Sequence, residues 1–111
     1  MTGTICISDD HEIDLSPIEL AGVADSLRAH TGASEARVMR ELFWPMDEGG
    51  IACMLADELD AAEFEVFAAV VRRAHEAARN TGVAAFALWE RLLAAVQSDL
   101  RSPDRWAAVA R

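Results

Sequence analysis

Lysine and tyrosine are absent from this chain, and all ten of its basic side chains are arginine. With the abundance of alanine, that bias reads as the mark of a GC-rich genome and has no mechanical content. Cysteine occurs only as Cys6 and Cys53, set in the apolar runs ICI and ACML and without a C-x-x-C spacing. A disulfide framework is therefore not implied, and two reduced core thiols in a cytosolic compartment are expected. No segment approaches the ~20 apolar residues that span a bilayer. The opening residues MTGTICISDDHE lack the basic and apolar regions of a signal peptide, so a cytoplasmic chain without membrane contact is expected.

Clustered cations are missing too. Nineteen acids against ten arginines leave a formal net charge of -9, which argues against direct binding to nucleic acid, because phosphate contact needs grouped positive charge. Asp9, Asp10, His11, Glu12 and Asp14 are metal-ligand types in one turn. They lack the glycine and the terminal glutamate spacing of an EF-hand, and no second His or Cys stands at a zinc-like interval. Neither a metal nor a cofactor is expected. No catalytic signature stands out, and the chain is read as a non-enzyme.

What is present is helical periodicity. Leu59 to Arg79 is the stretch around which the rest is organised. Asp60 and Glu63 have the spacing of a capping box, Leu59 and Phe64 that of a hydrophobic staple. At about 100° per residue Phe64, Phe67, Val71, Ala74 and Ala78 share a stripe opposite Glu65, Arg72, Glu76 and Arg79. The same grammar opens an earlier helix: Ser16 as cap, Pro17 at the first position, Glu19 closing the box, and Leu20, Val23, Ala24 and Leu27 as its buried side, with a stop at Thr31-Gly32. Ser34 is expected to cap a helix with Val38, Met39, Leu42 and Phe43 inward and Glu35, Arg37 and Glu41 outward, ended by Pro45. Val83 to Leu100 repeats the pattern through Phe86, Trp89, Leu92, Leu93 and Val96. A short connection at Asn80-Thr81-Gly82 makes the two long helices antiparallel neighbours. A last short helix is expected from Ser102-Pro103, docking through Trp106 and Val109. Thr4 to Ser8 alternates as a strand and Ile13 and Leu15 can pair with it; residues 51-55 favour a strand that could join them. The predicted architecture is mainly α: one acidic domain over residues 1–111, a compact bundle of four to five helices with a small two-stranded β element from the N-terminus and residues 51-55.

Charge placement is the best functional clue. Residues 1–65 hold fifteen acids and three arginines, whereas residues 66–111 hold four acids and seven arginines. A concentrated negative field attracts cationic partners and speeds their encounter. Three acidic groups are candidates for contact: Asp9, Asp10 and Glu12; Asp47 and Glu48, following Trp44, Pro45 and Met46 in a loop; and Asp57 and Glu58. Trp44 would be the apolar anchor. These residues point to a protein-binding inhibitor that neutralises a basic protein, an immunity protein or antitoxin facing a toxin whose cleft is cationic because it holds phosphate, as in a nuclease. The alternative is a small ligand-binding domain or enzyme with a pocket between the two long helices, served by His75. A homodimer through Trp44 and Trp106 is a third reading.

Overall fold

The computed structural model describes residues 3–8, 11–80, 83–99 and 101. Asp9, Asp10, Thr81, Gly82, Leu100 and the helix expected from Ser102, with Trp106 and Val109, lie outside the described residues. The order of elements is β1 (Gly3–Ser8), β2 (His11–Leu15), α1 (Pro17–Ala29), α2 (Ala36–Asp47), β3 (Cys53–Leu55), α3 (Ala61–Ala78) and α4 (Val83–Gln97), with 3-10 turns at Ala33–Glu35 and Ala56–Glu58. The described chain is mostly helical, and its β element has three strands where two were expected. The sheet is mixed, in the order β2-β1-β3, with β1 antiparallel to β2 and parallel to β3.

Strand alternation decides which way the sheet faces. Ile5, Ile7, Ile13, Leu15 and Met54 are buried beneath the helices, whereas Thr4, Cys6 and Ser8 on the other face of β1 are half-buried. The two cysteines are thus on the outer face of the sheet and not in the core, as the apolar runs around them suggest. Cys6 Sγ and Cys53 Sγ lie 4.0 Å apart across β1 and β3 as free thiols.

Both capping boxes form. Ser16 Oγ accepts from Glu19 N–H at 3.1 Å and Glu19 Oε1 accepts from Ser16 N–H at 2.9 Å; Asp60 Oδ1 accepts from Glu63 N–H at 2.8 Å and Glu63 Oε1 from Asp60 N–H at 3.1 Å. Each pair satisfies backbone donors that a helix start leaves unpaired, a contribution of about 1 kcal/mol per cap. α3 is the hub: it packs against α1, α2 and α4, burying Phe64, Phe67, Val70, Val71 and Ala74 among others.

Two local expectations are corrected. Ser34 does not cap α2; it sits inside the 3-10 turn, and Glu35 reaches back to accept from Gly32 N–H at 2.7 Å while pairing with Arg73 of α3. Glu35, the residue before α2, is thus tied both to its own turn and to α3. Pro45 does not end α2 either. The helix runs on to Asp47 because a proline in the last turn forfeits one backbone bond only, and here its ring is buried. The Pro45 carbonyl then accepts from Ile51 N–H at 2.9 Å. That reversal needs two glycines: a Cβ on Gly49 would stand 2.8 Å from the Pro45 oxygen, and Gly50 has φ +63°.

Candidate functional site

The last part of α2 places Trp44 and Pro45 beside the 3-10 turn that leads into α3. Between them lies a cleft of about 270 Å³, lined by Glu41, Trp44, Pro45, Leu55, Glu58 and Leu59. Its walls are apolar and its rim carries carboxylates. Trp44 is 59% exposed, unusual for so large an apolar side chain.

Glu41 is the residue that sequence reasoning passed over, reading it as a solvated outer-face acid. The signal was available in its spacing: three residues before Trp44 and four before Pro45, it shares their face of the helix. On that face it meets α3. Hydrogen bonding with Glu63 and the charge of that group, then desolvation and the charge of Asp60, raise the Glu41 carboxyl above its ordinary range, against the opposing pull of Arg37. Arg37 is a distant and exposed partner, at 3.7 Å. The Glu63 carboxylate also closes the cap of α3. Of these acids Glu41 lines the cleft, and Glu63 and Asp60 stand behind it at the start of α3.

The other predicted contacts separate. Glu58 joins Trp44 at the cleft, and among the described residues it has no ion-pair partner. Asp47 is held in a two-bond pair with Arg28 of α1, at 2.7 and 3.2 Å, so its charge is largely compensated within the fold. Glu48 is exposed just after α2. Glu12, exposed on β2, is paired in register with Cys6. Asp57 is half-buried, and one of its oxygens is fully buried without a hydrogen-bond partner. Glu12 and Asp57 both add to the negative field at Cys6, whose thiol burial and the neighbouring Cys53 push up to about 12. Two acidic regions result, the cleft and the outer face of the sheet.

His75, the residue on which a catalytic alternative would rest, is buried between helices. Its Nε2 is 3.0 Å from Glu90 Oε1 and its ring lies 5.0 Å from that of Phe86. Its hydrogen-bond partner is thus a carboxylate of α4 and not Cys53. Among the described residues no three His, Cys, Asp or Glu gather into a metal site, and no helix is long and apolar enough to cross a membrane.

No protein-family model matches the chain, and no curated protein sequence does. Among solved structures, the fold is shared with one chain of a complex of a CdiA-CT toxin from Burkholderia pseudomallei E479 with its cognate CdiI immunity protein. The TM-score is 0.81 at 24% sequence identity, over 89% of this chain and 97% of that one. The likeness runs nearly end to end in both molecules, and at this identity it is a likeness of fold.

Proposed function

We propose that this chain is a protein-binding inhibitor, the immunity protein or antitoxin of a basic toxin, acting in the cytoplasm by occupying the toxin and not by catalysis. The observation that carries this reading is the cleft. A tryptophan 59% exposed stands beside two carboxylates, Glu41 and Glu58, in a cleft with Pro45, Leu55 and Leu59, a surface suited to a cationic partner. The shared fold supports the reading, because the similar chain comes from a toxin–immunity complex. Charge favours the inhibitor over the toxin: a nuclease needs cations where its substrate phosphates lie, whereas this chain has a net charge of -9 and its cleft carries Glu41 and Glu58.

The test is made in cells and in solution. Expressed alone in a bacterial host, the chain is expected to be harmless; a chain that kills its host would make it the toxin and end the proposal. A basic protein captured at low salt from the source lysate should be toxic when expressed by itself and harmless when co-expressed with this chain. Charge reversal at the cleft, Glu41→Arg with Glu58→Arg, should abolish that protection while the far-ultraviolet circular dichroism stays unchanged. Association should slow as salt rises, since screening at 0.15 M acts over about 8 Å.

A further inference from the structure

The fold uses one device twice. Arg28 stacks its guanidinium 4.2 Å from the centre of the Phe43 ring while its N–H groups bond Asp47. Arg101 sits 4.0 Å from the centre of Phe64 while bonding Asp99. In each case a planar cation is held between an aromatic face and a carboxylate, the pairing for which arginine is better suited than lysine.

The cleft has the same components in a third place. Trp44 supplies the aromatic surface and Glu41 and Glu58 the carboxylates, while Pro45, Leu55 and Leu59 form an apolar lining. Among the described residues no arginine stacks on Trp44. We propose that the cleft is a receptor for a single arginine side chain presented by the partner, with the guanidinium between Trp44 and the two glutamates and the aliphatic stem along Leu55 and Leu59. The volume agrees: about 270 Å³ lies below the usual ~300–1,000 Å³ of a pocket for a drug-sized ligand and suits one long side chain. The apolar lining matches the stem of arginine, which buries its methylenes readily. A guanidinium also suits this pair of acids, because its several donors can bond Glu41 and Glu58 together.

This inference rests on the inhibitor reading for its partner but is tested apart from it. The Trp44 indole N–H resonance of the full chain is followed by NMR on titration with N-acetyl-arginine methylamide, with the lysine and glutamine analogues as comparison probes. A saturable shift in the millimolar range is expected for arginine, at least about threefold weaker for lysine, and none for glutamine. The E41Q/E58Q double variant should lose the shift, and D25N, at an exposed acid of α1, should keep it. No saturable shift with arginine, equal affinity for arginine and lysine, or a shift that survives E41Q/E58Q would overturn the arginine site. Circular dichroism of the double variant is the control: with its helical signal unchanged, loss of the shift is not loss of structure. If cells are protected from the captured toxin but the probe does not bind, this inference fails and the inhibitor reading stands. If the probe binds and no toxin is neutralised, the reading fails and the arginine site stands.

Discussion

Arg28 on α1 grips Asp47 at the end of α2 through two N–H···O bonds of 2.7 and 3.2 Å, with its guanidinium laid over Phe43. The adjacent Glu48 has no such partner among the described residues. Two consecutive acids of one sequence motif therefore have different tasks, one joining two helices and one facing solvent. Both members of the pair are about two-fifths exposed, which limits its worth to the range of surface pairs. Asp47→Ala should cost about 1 kcal/mol in urea unfolding, and Glu48→Ala should be neutral. Reversal of Asp47 to Arg would place a cation against Arg28, so it would lower stability as well as alter the surface charge.

Glu41 carries a pH signature opposite to that of most carboxylates in proteins. Its folded-state carboxyl is raised above the ordinary value of 4.5, first by the hydrogen bond to Glu63 and then by that group's charge. In the window above 4.5 the folded state holds more protons here than the unfolded state. Its contribution to stability is complete below that value and is lost as the pH rises through the raised one. Glu41→Gln, which cannot ionise, should melt at a higher temperature than the parent at pH 7, and the difference should vanish at pH 4. A melting temperature lowered at pH 7 would mean that the carboxylate is structural.

Arg101 is the hub of the C-terminal end of the described chain. Its guanidinium donates to the carbonyls of Ile7, Ala56 and Leu59 and to both oxygens of Asp99, whose side chain is 6% exposed. Removing the guanidinium takes away three N–H donors to carbonyls and the cation beside a largely buried carboxylate, which keeps the backbone N–H of residue 101. Arg101→Ala should cost about 3 kcal/mol, measured by chemical unfolding. Arg101→Lys should recover only part of that, because an ammonium has too few donors for the same set of acceptors.

Cys6 and Cys53 lie with their sulfurs 4.0 Å apart, and the surroundings of Cys6 disfavour its thiolate. Burial, then the neighbouring thiol and the charges of Asp57 and Glu12, push Cys6 up to about 12. Its thiolate fraction at pH 8 is on the order of 10⁻⁴, and the thiolate is the reactive form. Iodoacetamide at pH 8 should leave Cys6 unlabelled in the native protein for as long as the fold holds and label it at once in urea, as read by peptide mass spectrometry.

Capping residues three apart, proline at a helix start and stripes at the helical period bind each helix to its own neighbours in sequence. For that reason α1, α3 and α4 were legible from the chain alone, with Ser16 and Asp60 as starts and Leu20, Phe67 and Trp89 among their inward residues. The strands at residues 4–8 and 53–55 were legible from their alternation and apolar runs, but their parallel pairing through Thr4 and Cys53 depends on everything folded between them. The same holds for the acids. Whether Asp47 is compensated depends on Arg28, nineteen residues earlier; whether Glu41 is solvated or crowded depends on Glu63, which only the packing of α2 against α3 brings near. A sequence of nineteen acids against ten arginines declares a negative protein. Which acids remain unspent is decided by tertiary contacts, because a charge is neutralised by what stands a few ångströms away in space, wherever that group lies in the chain.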